Sequence, residues 1–442
     1  MDILDMIKEA GVVGAGGAGF PTHAKLSGDA EYILLNGAEC EPLIRVDQQL
    51  MEVFPDEILK GLESAGRLVH AKKALLGVKK KHKNLILVLR QRLLALGFDE
   101  FMEVVELKDV YPAGDEQVLV YELTGRVVPE AGLPIHVGCV VVNSETALNI
   151  YKATRGEAVT ETYVTVSGDV PNPVTVKVPV GMPVLDVIKL SGVDDLSACG
   201  VIDGGPMMGF AQSGGEGYVT KKSKAFIVLK KEHPLMRRKS ISPEQARRVN
   251  RAACEQCRMC TDMCPRYLLG HSIQPHKTMR AISFSVDDLE GNKAALLCSQ
   301  CALCELFSCP AGLYPRAANV YFKDRLAQQH VQYVRNQDKF EPRGAREYRM
   351  LPTKRLIMRL GLKKFDKPAP ITEIGAEPAQ VCISTKQHLG APASPVVSPG
   401  ERVLAGQKIG EVPKGSLGAA IHASITGVVA EVSGECITIR RD

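Results

Sequence analysis

The chain has 442 residues, 45% hydrophobic and 24% charged, with a formal net charge of +5. That is room for roughly three domains of about 150 residues, each with a sizeable core. An aromatic share of 5% without tryptophan argues against stacking platforms for single-stranded nucleic acid, and the longest apolar runs, such as residues 85–89, fall far short of the ~20 residues that cross a bilayer.

The opening MDILDMIKEAGVV is acidic and lacks the basic and apolar regions of a signal peptide, so a soluble, intracellular protein is expected. Residues 1–155 alternate helical and strand-like patterns, the mark of an α/β domain. A short helix is expected over 1–10, a buried strand over 32–35 and an amphipathic helix over 56–69. Strands follow over 84–89, 102–107 and 137–142, with a connecting element from 91–96 and a helix from 145–152. Residues 160–230 change character: strands at 164–166 and 174–178 flank a Gly/Pro turn, and a short helix follows at 184–190. Residues 242–330 read as helical, with Ser242 as N-cap, Pro243 at the first helical position and Glu244 in the first turn. Residues 331–378 read as a linker or wrap-around segment. From 379 the pattern is β again, with Gly/Pro turns between short apolar runs at 395–397, 402–404, 408–410, 427–429 and 436–439. Basic runs at 79–83 and 237–239 read as solvated faces.

Thirteen cysteines in an intracellular chain point to ligands rather than disulfides. Cys40, Cys139, Cys199, Cys382 and Cys436 are scattered singly, and the other eight lie between 254 and 309. Cys254-x2-Cys257-x2-Cys260-x3-Cys264-Pro265 has the spacing of the bacterial ferredoxin run, and Cys298-x2-Cys301-x2-Cys304-x4-Cys309-Pro310 repeats it with one extra residue. Three thiolates so spaced wrap three corners of a cubane, and the fourth leads away to the other cluster. The expected sets are Cys254, Cys257, Cys260 with Cys309, and Cys298, Cys301, Cys304 with Cys264, holding two [4Fe–4S] clusters. Zinc sites usually pair two separated Cys-x2-Cys units, which fits two triplets poorly.

The glycine-rich run 11–19 suits close approach of backbone N–H groups to a phosphate, but alone it fits a plain turn equally well. Three further polar segments, at 36–42, 111–117 and 142–146, each follow a strand. Ligands of open α/β sheets bind at the carboxyl ends of strands. Together GAGGAGFPTHAKL, LLNGAECEP, YPAGDEQ and VVNSETAL resemble the FMN-binding domain shared by RnfC and the flavoprotein subunit of respiratory complex I. VTVSGDVPNPVTVKVPVGMPV with the later DGGPMMG resembles the SLBB domain that follows it in RnfC, and residues 392–441 resemble the RnfC barrel-sandwich domain, here at the C-terminal side. That order is similar to the cobalamin reductases of propanediol-utilising bacterial microcompartments.

The resemblance implies a multidomain α/β and α+β fold. Its parts are a Rossmann-like FMN and NADH domain over 1–158, a β-grasp SLBB domain over 159–235 and a helical ferredoxin-like domain over 240–330. A linker over 331–378 leads to a C-terminal barrel-sandwich β domain over 379–442. It implies FMN lined by Gly14, Gly16, Gly17 and Gly19, with Lys25 near the phosphate end and Asn36 hydrogen-bonded to the isoalloxazine ring. Glu39 lies on that loop, Asn143 and Thr146 match residues near the ribityl phosphate, and Glu41 and Glu116 match contacts to the nicotinamide nucleotide. Asp115 stands where complex I has Glu. The implied activity is NADH-dependent electron transfer through flavin and clusters to cobalamin. The implied partners are an adenosyltransferase and a shell protein, in the cytoplasm within or on a microcompartment. No Asp-x-His-x-x-Gly corrinoid signature occurs, so cobalamin enters through the resemblance alone. An RnfC-like subunit exchanging electrons between NADH and ferredoxin, and a non-catalytic iron–sulfur relay, stand as alternatives.

Overall fold

The computed structural model of the protein describes residues 2–373 and 375–442. The chain forms a multidomain α/β protein. Its first sheet has four strands in the order Met102–Leu107, Lys73–Lys79, Tyr32–Gly37, Cys139–Asn143, all parallel. The strands are near-continuous apolar runs because helices cover both faces. Ile33 and Leu35 point into one core and Leu34 into the other. Helices Pro55–Leu68 and Ser144–Thr154 pack so closely that a Cβ on Gly61 would stand 1.9 Å from the Ala147 carbonyl oxygen.

One expectation fails here. Residues 84–89 belong to the helix Lys83–Leu96, and the strand is Lys73–Lys79. The LILVL run looks like a buried strand, yet burial falls on Leu85, Ile86, Leu89 and Leu93, while Leu87, Val88 and Leu94 are exposed. That is helical periodicity, which a five-residue apolar run conceals.

The second unit is a six-stranded mixed sheet, ordered Ile371–Thr372, Val174–Pro179, Glu161–Gly168, Ala225–Lys230, Cys199–Asp203, Phe210–Gln212. Short helices and turns carry the cysteines of the third. There Ser242 caps Pro243–Ala253 in a capping box with Gln245, both hydrogen bonds being 3.2 Å. The last unit stacks two small antiparallel sheets around Val381, Ile383, Ile409, Ile421, Ile437 and Ile439. Its strands Gln380–Ser384 and Cys436–Arg441 pair antiparallel, so Cys382 and Cys436 come to 6.0 Å between Cα atoms and form a disulfide. The expectation that these two are single cysteines is thereby corrected: partners 54 residues apart meet only once the strands pair.

The described residues of the 331–378 segment wrap around the other units. Leu351–Pro352 pairs with Val110–Tyr111, and Ile371–Thr372 adds an edge strand beside Val174–Pro179. The Lys79 ammonium, 1% exposed, meets Asp109 at 2.9 Å and Thr353 Oγ1 at 3.2 Å. Among the described residues no helix is long and apolar enough to cross a membrane.

Candidate functional site

The parallel register sets Asn36 beside both Gly77 and Asn143, so these strands end together and their loops share one edge. The glycine-rich loop lies against this edge. It is closed at its base by the Val13–Pro21 bridge and by the Gly14 N–H donating to the Phe20 carbonyl at 2.9 Å. The Ala15 N–H donates to Thr146 Oγ1 at 2.9 Å, pinning the loop to the start of helix Ser144–Thr154. Gly16 and Gly17 have φ of 116° and 60°, where L side chains are strained. A Cβ on Gly17 would meet nothing within 4 Å, so that side of the loop is open. Asn143 is the N-cap residue of the helix without a side-chain cap bond, and the buried Ser144 Oγ and Thr22 Oγ1 have no hydrogen-bond partner. Open N–H groups, a helix N-terminus and partnerless buried hydroxyls fit the phosphate of a flavin nucleotide.

The other flavin candidates are already engaged. Asn36 Nδ2 donates to the Gly114 carbonyl at 3.0 Å while its Oδ1 accepts from the Ala38 N–H at 3.3 Å, which fixes the amide orientation. Lys25 and Glu116 pair with each other at 2.8 Å. Glu39 Oε1 accepts from the Asp47 N–H at 3.1 Å, and its buried Oε2 has no partner. Burial first, then the Asp47 carboxylate, push the Glu39 carboxyl up to about 7. Lys224 reaches in from the second sheet to contact Glu145, with Asp47 at 3.9 Å. Burial works against its charge, but the two carboxylates outweigh burial and hold the ammonium above its ordinary range.

Glu41 is placed elsewhere. Its oxygens accept from the N–H groups of Met207 and Met208 at 2.9 and 2.8 Å. A Cβ on Gly205 would stand 2.2 Å from Glu41 Oε2, so the DGGPMMG segment is a cradle for this carboxylate. The resemblance gave Glu41 to the nicotinamide nucleotide, and the structure gives both its oxygens to the joint between the first two units. Asp115 is a second joint. It caps helix Glu116–Thr124 by accepting from Gln117 and Val118, and its Oδ2 accepts from Arg266 at 3.1 Å.

Arg266 follows Cys264 by two residues, so that ion pair reaches the cysteines. The charges that reach two of the thiols follow the expected sets. Cys260 feels the charges of Cys254, Cys257 and Cys309, whereas Cys304 feels those of Cys298, Cys301 and Cys264. Burial, then neighbouring thiolates, push Cys260 up to about 12; burial is again the largest cause at Cys264, also about 12. Iron must displace those protons. Each triplet turns through two left-handed residues at equivalent positions, Gln256 and Arg258 in one, Gln300 and Ala302 in the other. Such backbone is strained for side-chain-bearing residues and clusters at ligand clamps. N–H groups point at sulfur: Gln300 N to Cys298 Sγ at 3.4 Å and Leu313 N to Cys309 Sγ at 3.3 Å. The extra residue before Cys309 is absorbed by one π-helical turn over Cys304–Ser308. Cys264, Cys298, Cys301 and Cys304 line one small cavity, about 20 Å³, with Arg266 and Arg316. Among the described residues no three His, Cys, Asp or Glu converge on a single ion. The crossed sets fit cubanes, whose thiolates sit at separate corners. The Tyr111 hydroxyl donates to the Cys301 carbonyl at 2.7 Å, binding the flavin-side edge to the second set.

Sequence reasoning missed Lys224, Glu145, Arg266 and Tyr111 as parts of the site. Tyr111 and Glu145 lie within the segments 111–117 and 142–146, but their roles, like those of Lys224 and Arg266, depend on contacts 79 to 190 residues away that no local pattern marks.

Comparison with known proteins finds four family matches along the chain, the last of them beginning within the 331–378 segment. Residues 7–152 match the Nuo51 FMN-binding domain, 163–211 the SLBB domain, 253–314 the 4Fe-4S dicluster domain and 358–440 the RnfC barrel sandwich hybrid domain. Cobalamin reductase PduS of Salmonella typhimurium is 40% identical over 442 residues, which is 100% of this chain and 96% of that protein. The protein of the same name from Citrobacter freundii is also 40% identical, covering 99% of this chain and 96% of its own. One polypeptide of the Na(+)-translocating ferredoxin:NAD(+) oxidoreductase complex of Acetobacterium woodii is 35% identical over 272 residues, 60% of this chain and 58% of that polypeptide.

Proposed function

The chain belongs to the PduS family of cobalamin reductases, and from that premise we propose that it oxidises NADH and delivers the electrons to the cobalt of cobalamin. Bound FMN would accept a hydride from NADH and release single electrons, which two [4Fe–4S] clusters would carry. The observation that carries the reading is the joint between flavin-side edge and cysteine domain, Tyr111 on the Cys301 carbonyl and Asp115 on Arg266. Two redox domains meant to exchange electrons need such fixed contact.

On this reading Gly14, Gly16, Gly17 and Gly19 line the flavin nucleotide, and Thr146 holds their loop. Asn36, with its amide already oriented, meets the ring; Asn143 stands near the phosphate, and Glu39 and Glu116 flank the site. The eight cysteines hold the irons in the crossed sets. Arg266 and Arg316 balance the negative charge of an occupied cubane and tune its potential. The four-stranded parallel sheet is the core of a Rossmann-like domain over 1–158. The six-stranded sheet is the β-grasp unit over 159–235, the cysteine helices the ferredoxin-like domain over 240–330, and the final sheets the barrel-sandwich over 379–442. Cytoplasmic placement within or on a microcompartment, beside an adenosyltransferase and a shell protein, follows from the same kinship.

The test is anaerobic mixing of the FMN- and cluster-loaded chain with NADH and cob(III)alamin, followed through the corrinoid bands. Reduction that depends on both NADH and the chain is the expected result. Cobalamin that stays oxidised while ferredoxin is reduced would transfer the protein to the ferredoxin-linked activity named for its Acetobacterium relative.

A further inference from the structure

Three lysines on one turn of the second unit face the glycine-rich loop of the first. The turn spans 220–224 and is closed by the Ser223 N–H donating to the Thr220 carbonyl at 3.0 Å, with the Thr220 N–H on Ser223 Oγ at 3.0 Å. Each lysine lies over a different glycine. Lys221 Nζ donates to the Gly11 carbonyl at 2.7 Å and to the Ala420 carbonyl at 2.8 Å, so its charge is used in joining three units. Lys224 places its Cε 3.9 Å from the Cβ position of Gly16, and its ammonium is satisfied by Glu145 and Asp47. Lys222 runs its stem over Gly19, with its Cδ 2.6 Å from the Cβ position of that glycine.

Lys222 differs from both neighbours in one respect: among the described residues its ammonium makes neither an ion pair nor a hydrogen bond, whereas Lys221 donates to two carbonyls and Lys224 pairs with Glu145. The Asp203 carboxyl, pushed up by burial, feels the Lys222 charge, which opposes the rise, and among the described residues the two form no ion pair. A half-buried lysine without an ion pair is thus held over a loop of left-handed glycines, and Ala15 of the same loop is pinned to Thr146 in the first turn of the eleven-residue helix Ser144–Thr154. The buried Ser144 Oγ at that N-terminus has no partner either. All of these favour a polyanion.

We propose that Lys222 binds a phosphate of the nucleotide seated on the glycine-rich loop, so that the second unit contributes directly to the nucleotide site. The assignment rests on the flavin reading given above. Gly19 is then glycine for two reasons: its φ of 66°, and the need to let the Lys222 stem pass over it. The phosphate belongs either to the flavin mononucleotide or to the nicotinamide dinucleotide, and the same lysine chemistry serves both.

The experiment titrates the full, flavin-free chain with FMN and with riboflavin by fluorescence quenching. It then titrates the FMN-loaded chain with NADH and with dihydronicotinamide riboside, which has no phosphate. Wild type is compared with Lys222→Met, which keeps the stem over Gly19, and with Lys222→Arg, which keeps the charge. Lys222→Met is expected to weaken the phosphate-bearing ligand about tenfold or more and to leave its phosphate-free analogue unchanged, with Lys222→Arg restoring most of the loss. A loss confined to the FMN pair assigns the flavin phosphate, and one confined to the NADH pair assigns the dinucleotide. Unchanged affinities in Lys222→Met, or equal losses for ligands with and without phosphate, would overturn the assignment while leaving the flavin reading intact. A wild-type chain that binds neither FMN nor riboflavin would overturn both.

Discussion

The two cysteine quartets share one backbone design and differ in everything around it. Both triplets turn through left-handed residues two and four positions after their first cysteine. In the quartet of Cys264, Cys298, Cys301 and Cys304, three thiols are buried, Lys323 donates to the Cys298 carbonyl at 3.0 Å, and Tyr111 and Asp115 reach in from the flavin-side edge. In the quartet of Cys254, Cys257, Cys260 and Cys309 only Cys260 is buried, and Cys257 is exposed. The two quartets thus share their spacing, while the surroundings set one inward against the edge that carries Tyr111 and Asp115 and leave the other toward solvent.

The largest effect that would break this contrast comes from removing one ligand on each side. Cys304→Ser should cost about half of the iron and sulfide and leave the remaining cluster unreduced by NADH. Cys257→Ser should leave an NADH-reducible cluster signal while acceptor reduction falls. Low-temperature EPR of each variant reads this out, and identical behaviour of the two would erase the inner–outer distinction.

Next in size is the joint itself. Asp115→Ala strands the Arg266 guanidinium, 13% exposed, and removes a helix cap. It should cost about 3–5 kcal/mol in denaturant unfolding, whereas Arg280→Ala beside the outer quartet should stay within about 0.5 kcal/mol. A pH profile sharpens the comparison from the flavin side. Because Glu39 rises to about 7 when folded, the folded state resists its ionisation. Its contribution is fully favourable below about 4.5 and is lost as pH rises through about 7. Glu39→Gln should flatten stability over that window, as measured by unfolding at fixed denaturant. The smallest effect belongs to Tyr111→Phe, which drops the hydroxyl from the Cys301 carbonyl and should cost about 1 kcal/mol, with no change in the outer cluster's spectrum.

Much of this was legible in the sequence because it is local. Cysteine spacing within 11 or 12 residues prescribes ligation, and the strand patterns at 32–35 and 102–107 mark the sheet whose edge carries the loops. The rest depends on chain segments that meet only after folding. The 84–89 run has too few residues to separate helix from strand, so Lys73–Lys79 was overlooked as the central partner. The part Glu41 plays in the joint is hidden in the same way, because its partners Met207 and Met208 lie more than 160 residues on. Cys382 and Cys436 look solitary until strand pairing brings them together. The lysines at 221 and 224 carry no local signal, and only the packing of the second unit on the first gives them partners, the Gly11 carbonyl and the Glu145 carboxylate.

The most direct test of the central claim is an anaerobic NADH titration of the chain loaded with FMN and clusters, followed by its visible spectrum. Bleaching of the flavin band together with partial loss of cluster absorbance is the predicted result. Cluster absorbance that NADH leaves unchanged, in a chain that retains no flavin, would contradict the account and reduce the protein to an iron–sulfur relay.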